Sequence, residues 1–115
     1  PNYKIITLFG CGGDRDKDKR SIMGSLSEKF SDRIIITDDN PRDEDPNQII
    51  SQIILGFKQD KYKICNDRKR AIQEAFKKLD KNQTLLILGK GVEQYQIIKG
   101  KKIKHSDTQI IKELL

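Results

Sequence analysis

The chain has no tryptophan, one histidine and two cysteines among its 115 residues. Cys11 and Cys65 belong to no Cys-x-x-Cys pair, so the sequence predicts no structural zinc and no other bound metal. Two isolated thiols are typical of a reducing cytoplasm rather than of a disulfide scaffold. No apolar run approaches the ~18 residues of a membrane-spanning helix, and the first residues show no signal-peptide pattern. These absences exclude the zinc-finger, disulfide-rich and membrane classes and predict a cytoplasmic protein.

The charge of the chain is positive, at +6, and 35% of its residues are charged. The basic residues are interleaved with acids, as in residues 14–20. They do not alternate with aromatic residues in the way that base stacking requires. The positive charge makes a nucleic-acid-binding module an alternative, although the pattern of the basic residues does not favour it. A freestanding amino-acid-binding module without catalysis is the other alternative.

Residues 1–115 contain no linker-like segment, which predicts a single domain able to bury a core. The absence of an initiating methionine predicts that this domain belongs to a longer polypeptide. The predicted strands are residues 3–9, 33–37, 61–65, 84–88, 95–98 and 102–104. The predicted helices are residues 21–30, 46–57, 67–79 and 106–115. This order predicts an α/β fold with an open, mostly parallel, Rossmann-like sheet, helices on both faces, and a small terminal β-hairpin and helix.

Two elements carry more specific predictions. The run Thr-Leu-Leu-Ile-Leu at residues 84–88 is apolar throughout, which is typical of a central strand buried on both faces. The spacing in the first helix predicts a single apolar face. That face is formed by Ile22, Met23, Leu26 and Phe30.

Three loops with unusual composition each follow a predicted strand, at residues 10–20, 38–45 and 89–93. Ligands bind beyond the carboxyl ends of the strands in open α/β sheets, where such loops meet. We therefore expect the three loops to gather at one edge and to form a site.

The loop at residues 38–42 combines two acids, an amide and a forked cation. Pro41 fixes its own φ and biases Asn40 to extended geometry, which makes the loop stiff. Asp38 and Asp39 accept hydrogen bonds, and Arg42 donates them in pairs. This mixture suits a ligand with both ammonium and carboxylate groups, such as an amino acid. A solvated turn before a helix is the alternative for the loop taken alone.

The other two loops are rich in glycine. Residues 10–16 fit neither the dinucleotide-binding fingerprint nor a phosphate-binding Walker A loop, so their glycines predict a sharp turn and close backbone approach. The cations of this segment suit phosphate or carboxylate groups, or are simply solvated. They are Arg15, Lys17, Lys19 and Arg20. Cys11 is a candidate nucleophile, but a small residue in a tight loop is the favoured interpretation because no histidine lies near it in sequence.

Together the segments GCGGDRDxxKR, TDDNPRxEDP and GKGxExYQ resemble the C-terminal domain of the Mur ligases. The resemblance covers essentially the whole chain. Within the family it resembles the ligases that add a diamino acid to UDP-N-acetylmuramoyl-L-alanyl-D-glutamate, and DNPR is similar to the version that goes with meso-2,6-diaminopimelate.

The resemblance implies a role for each residue of the DNPR loop. Arg42 would bind a carboxylate at the distal stereocentre of diaminopimelate. Asp39 and Asn40 would hold polar groups at the same end, with Asp39 favouring the ammonium.

The resemblance also implies that Arg15 meets a second substrate carboxylate. Gly89, through its backbone, and Glu93 would complete the pocket. Family members commonly read GKGHE, and Val92 here replaces the histidine, so the choice between diaminopimelate and a relative such as lanthionine stays open.

For the full-length enzyme the resemblance implies ATP and Mg²⁺ as cofactors and a bacterial, cytoplasmic location in peptidoglycan synthesis. ATP would phosphorylate the D-glutamate side chain, and the amine of the diamino acid would attack the acyl phosphate. The central ATPase domain and the N-terminal domain are absent, so we expect no cofactor and no catalytic residue in this domain. We expect the domain to be monomeric and inert by itself.

Overall fold

The computed structural model describes residues 4–90 and 93–115. The strands are β1 Lys4–Phe9, β2 Arg33–Ile36, β3 Tyr62–Ile64, β4 Gln83–Ile87, β5 Tyr95–Ile98 and β6 Lys101–Lys104. The helices are α1 Asp18–Phe30, α2 Pro46–Ile54, α3 Arg68–Lys77 and α4 Asp107–Leu114. Each predicted element is present with ends shifted by a few residues. Residue 3, the predicted start of the first strand, lies outside the described residues.

The sheet has the order β3-β2-β1-β4, and its strands pair in parallel. Strands β5 and β6 form a separate antiparallel hairpin. The predicted α/β fold, with a mostly parallel sheet and a small terminal hairpin and helix, is therefore confirmed. Within the described residues, no helix is long and apolar enough to span a membrane.

Side-chain caps fix where three helices begin. Asp45 accepts a hydrogen bond from the amide of Asn47 at 2.9 Å, directly before Pro46 at the first turn of α2. Asp67 caps α3, and Ser106 caps α4. These caps set the ends of the loops that precede the helices.

The core has one apolar cluster on each face of the sheet. On one face β1 and β2 pack against α2 through Phe9, Ile34, Ile36, Ile49, Ile50 and Ile53. On the other face Leu8 packs against α3 and α4 through Ala71, Ile72, Ala75 and Ile110. Each fully buried isoleucine or leucine contributes roughly 2 kcal/mol of burial energy. The two clusters hold the strands whose ends carry the loops.

The prediction of a central strand at residues 84–88 was wrong. Strand β4 is an edge of the sheet and pairs with β1. Leu85 and Ile87 pack toward α3 and α4, whereas Leu86 and Leu88 are 41% and 49% exposed. The residues of this apolar run would suit a strand covered on both faces. Among the described residues, helices cover only the face of β4 that carries Leu85 and Ile87.

Helix α1 does not bury the apolar face that its spacing predicted. Ile22, Met23, Leu26 and Phe30 are exposed. The last three of them line an apolar groove that continues over Leu86 and Leu88.

The inward side of α1 consists of Arg20, Gly24 and Glu28. A Cβ at Gly24 would lie 2.3 Å from the carbonyl oxygen of Ile53, so glycine permits close contact with α2. Glu28 accepts hydrogen bonds from the amide of Lys58 at 2.9 and 3.1 Å. Polar anchoring and close backbone contact therefore orient this helix.

Candidate functional site

The three predicted loops meet at the carboxyl edge of β1, β2 and β4, and glycines make their contact possible. The amide of Gly13 donates to the carbonyl of Asn40 at 2.7 Å. A Cβ at Gly13 would lie 1.8 Å from the carbonyl oxygen of Pro41, and one at Gly10 would lie 2.1 Å from that of Thr37. The close approach predicted for these glycines is therefore to the neighbouring loop of the same chain.

Gly13→Ala is expected to lower the free energy of unfolding by about 2–3 kcal/mol, because the new Cβ cannot avoid the Pro41 backbone. Gly12→Ala is the matched control, since its Cβ would meet side-chain atoms of Arg42 and Arg15 rather than backbone within 3.4 Å. We expect the control to cost less than about 1 kcal/mol. Urea unfolding measures both variants, and equal losses would contradict this packing of the loops.

A buried ion pair ties the first loop to the second. Arg20 is 1% exposed and donates to Glu44 at 2.6 and 2.9 Å, to Gln52 at 2.7 Å and to the carbonyl of Gly12 at 2.8 Å. The hydrogen bond from Arg20 lowers the pKa of Glu44 to about 2. Arg20 was a candidate for binding an external phosphate or carboxylate, but its partner is this internal carboxylate. Lys17 and Lys19 are solvent-exposed.

Asn40 is buried, and its side chain is already engaged by the protein. Its Oδ1 accepts from Lys90 Nζ at 2.7 Å and from the amide of Ile97 at 2.9 Å. Its Nδ2 donates to Glu93 at 3.5 Å, a weak contact. The two donors to Oδ1 fix the amide so that Nδ2 points toward Glu93.

Lys90 is a central residue of the site that sequence reasoning missed. Its side chain is 0% exposed, and Nζ lies 2.9 Å from Asp39 Oδ1 and 3.3 Å from Glu93 Oε1. The contact with Asp39 is an ion pair that lies outside hydrogen-bond geometry, since Oδ1 accepts no hydrogen bond from the described residues. We call Asp39, Asn40, Lys90 and Glu93 the Lys90 cluster. The lysine within Gly-Lys-Gly was the only sequence signal for it.

Arg42 lies beside this cluster in a strained backbone conformation. Its φ is +55°, its amide donates to the carbonyl of Ile97 at 2.8 Å, and its carbonyl accepts from Lys99 at 2.6 Å. Nη1 donates to the carbonyl of Gly13 at 2.9 Å. Within residues 4–90 and 93–115, Nε and Nη2 make no hydrogen bond, which leaves two parallel donors for a carboxylate.

Arg15 and Gly89 belong to the first and third loops of the site. Arg15 is exposed, and its Cγ would lie 3.3 Å from a Cβ at Gly12, next to the guanidinium of Arg42. Gly89 has a φ of +106°, and a Cβ added at this position would lie 3.7 Å from Asp39 Oδ2. The structure thus brings the six predicted residues to one edge of the sheet, with Arg42 beside the Lys90 cluster and Arg15 close to Arg42. Val92 lies outside the described residues.

A second buried charge cluster contacts the ends of the strands from which two of the loops start. Arg68 donates to Asp107 at 2.8 and 2.9 Å and to the carbonyls of Leu88 at 3.0 Å and Asp38 at 3.4 Å. His105 Nε2 lies 2.6 Å from the same carboxylate. Burial alone raises the pKa of Asp107, but the hydrogen bonds from Arg68 and His105 outweigh it and hold the pKa well below its ordinary value. This cluster anchors the ends of β2 and β4 and had no local signal in the sequence.

Cys11 does not have the properties of a nucleophile. It packs against the core, and its Sγ lies 3.6 Å from the sulfur of Met23. Burial raises its pKa to about 11, so the thiol is protonated at neutral pH. The interpretation of Cys11 as a small loop residue is the one that fits.

Two features of the described residues bear on metal and phosphate binding. Among residues 4–90 and 93–115, no three His, Cys, Asp or Glu side chains are grouped to hold a metal ion. The glycine loop at residues 10–16 ends without the lysine and hydroxyl of a Walker A loop. We assign no step through ATP or Mg²⁺ to the residues of this chain.

An open parallel α/β domain with acids, an amide and arginines at its carboxyl edge is the class that these features define. The family model for "Mur ligase, glutamate ligase domain" matches residues 1–91. The chain therefore belongs to the Mur ligase family, and the resemblance read from its motifs is confirmed.

The chain is 50% identical over 113 residues to a UDP-N-acetylmuramoyl-L-alanyl-D-glutamate–2,6-diaminopimelate ligase of Prochlorococcus marinus, covering 97% of this chain and 22% of that protein. It is also 50% identical over 113 residues to the ligase of the same name from Aquifex aeolicus, covering 97% of this chain and 23% of that one. A solved structure of a ligase of this name superposes with a TM-score of 0.91 at 33% identity, over 98% of this chain and 23% of that chain. The chain thus spans less than a quarter of the length of these relatives.

Proposed function

We propose that this chain is the C-terminal domain of an ATP-dependent ligase of bacterial peptidoglycan synthesis. In this proposal it binds a diamino acid, meso-2,6-diaminopimelate, and presents its amine to the acyl phosphate of UDP-N-acetylmuramoyl-L-alanyl-D-glutamate. The observation that supports the proposal is that groups of opposite charge lie on one edge of the sheet. They are the carboxylates of the Lys90 cluster and the arginines near it.

The arginines suit the carboxylate of an amino acid, and the carboxylates of the Lys90 cluster suit its ammonium. Arg42 has two parallel donors toward a carboxylate, a geometry that stabilises charge-assisted hydrogen bonds. Arg15 would bind a further carboxylate from the exposed side. Asp39 and Glu93 would accept hydrogen bonds from the ammonium. Asn40 would donate through Nδ2 to a polar group at the same end of the ligand, since its present contact with Glu93 is weak.

The contribution to catalysis would be positional. Holding the amine near the acyl phosphate removes translational and rotational freedom before reaction, which is worth several kcal/mol when the atoms are aligned. ATP and Mg²⁺ would be bound by the domains that this chain does not contain, where the carboxyl group is activated. The polypeptide would be a cytoplasmic monomer.

The substrate proposal is tested by ligation with the longer enzyme that contains this domain. The amino acids are meso-2,6-diaminopimelate, lysine and ornithine, each at limiting concentration. We expect the highest kcat/KM with diaminopimelate, because lysine and ornithine lack the distal carboxylate that Arg42 would bind. Equal use of lysine would contradict the assignment of Arg42, although not membership of the family.

The 115-residue domain by itself is expected to be inert. With ATP, Mg²⁺ and both substrates present, it should produce no ADP above background, because the residues that would bind the nucleotide lie elsewhere in the longer enzyme. ATP turnover by the purified domain would contradict this division of roles. A steep salt-dependent affinity for random DNA would instead favour the nucleic-acid alternative that the charge of +6 raises.

A further inference from the structure

Lys90 is buried, while the carboxylates that it contacts are partly exposed. The side chain of Lys90 is 0% exposed, against 16% for Asp39 and 42% for Glu93. A lysine almost never loses all contact with water unless its ammonium is paired. The cation therefore lies behind the carboxylates, on the side away from the solvent.

The contacts of Lys90 join two loops. Asp39 and Asn40 follow β2, whereas Lys90 and Glu93 follow β4. Nζ reaches Asn40 Oδ1 at 2.7 Å, Asp39 Oδ1 at 2.9 Å and Glu93 Oε1 at 3.3 Å. All three contacted atoms belong to side chains proposed to face the ligand, so the position of Nζ determines the position of each.

We propose that Lys90 is a positioning residue for the ammonium of the diamino acid. It holds the carboxylates of Asp39 and Glu93 in place and fixes the amide of Asn40 with Nδ2 toward Glu93, without touching the ligand itself. One lysine against two carboxylates leaves the Lys90 cluster with one net negative charge, which matches one incoming ammonium. This inference rests on the proposed function and adds to it the residue that organises the ammonium end.

Lys90→Met in the longer ligase is expected to raise the KM for meso-2,6-diaminopimelate by about 10- to 100-fold. Loss of a partner that orients a metal ligand costs about 10- to 100-fold in affinity, and we expect the same range for a partner that orients these carboxylates. The KM for ATP should stay within about twofold, because ATP does not bind at this edge in the proposal. Lys81→Met, which removes an exposed lysine before β4, is the matched control and should leave both constants unchanged. An unchanged KM for the diamino acid in Lys90→Met, or an equal rise for ATP, would overturn the inference.

A chemical rescue separates positioning from packing. Lys90→Ala removes the atoms of propylammonium, so added propylammonium should lower the raised KM by about tenfold, while 1-propanol of the same shape should not. Circular dichroism confirms that the variant is folded before the assay. Equal rescue by both compounds, or by neither, would overturn the inference.

Arg42→Ala, assayed in parallel, distinguishes the two levels of failure. If Arg42→Ala raises the KM for the diamino acid and Lys90→Met does not, the role of Lys90 is wrong and the proposed function stands. If neither variant changes that KM, the diamino acid does not bind at this edge and both proposals are wrong.

Discussion

Arg42→Ala in the longer ligase is expected to raise the KM for meso-2,6-diaminopimelate by about 100-fold and to leave the KM for ATP within about twofold. Two charge-assisted hydrogen bonds at roughly 1.5 kcal/mol each amount to about 3 kcal/mol, which corresponds to about 100-fold in affinity. Nε and Nη2 are the donors available for this contact, since Nη1 donates to the carbonyl of Gly13 at 2.9 Å. Steady-state kinetics with one substrate varied at a time measure the two constants.

Arg42→Lys separates charge from geometry. A lysine retains the positive charge at the same left-handed backbone position but lacks the planar pair of donors. We therefore expect an intermediate effect of about tenfold on the KM for the diamino acid. Arg70→Ala, which removes an exposed arginine on α3, is the control and should have no effect. Equal rises for ATP and the diamino acid in Arg42→Ala would count against a ligand carboxylate at Arg42.

Glu44→Gln is expected to lower the free energy of unfolding at pH 7 by about 3 kcal/mol, because it leaves the guanidinium of Arg20 buried without its counter-charge. Both side chains are buried, at 1% and 8% exposed. Glu74→Gln is the contrasting variant, since its pair with Arg70 is exposed and should be worth less than about 1 kcal/mol. Urea unfolding of the parent and both variants measures the difference.

The difference in unfolding free energy between the parent and Glu44→Gln should depend on pH if it comes from charge. The pKa of Glu44 is about 2 in the folded protein, against 4.5 ordinarily. Because the folded value is the lower one, the pair stabilises the fold fully above about pH 4.5, and this stabilisation is lost as the pH falls toward 2. The parent and Glu44→Gln should therefore converge between these values. A difference that persists undiminished at pH 2 would show that packing, rather than charge, accounts for the loss.

Much of the fold could be predicted because its signals are local. Periodicity and caps such as Asp67 depend on neighbouring residues, and the alternation of strands and helices predicts the parallel sheet. The edge position of β4 and the exposed face of α1 could not be predicted, because they depend on which surfaces other elements cover. Leu86 and Phe30 are equally apolar in either arrangement, and they are 41% and 67% exposed.

The candidate site divides in the same way. The order of strands and loops predicts that residues 10–20, 38–45 and 89–93 meet, and the described residues of these loops do. The partners of buried charges could not be predicted, since Lys90 and Arg20 look like any surface cation in sequence. Asn40 shows a further limit: the sequence predicts a polar side chain in the site, but only the geometry reveals that Oδ1 is already occupied by Lys90 and Ile97.

The most direct test of the central claim is a crystal structure of the longer ligase with meso-2,6-diaminopimelate bound. We predict a ligand carboxylate paired with Nε and Nη2 of Arg42 and the adjacent ammonium against Asp39 and Glu93, with Lys90 behind them. Diaminopimelate bound away from this edge, or reversed so that its ammonium lies nearest Arg42, would contradict it.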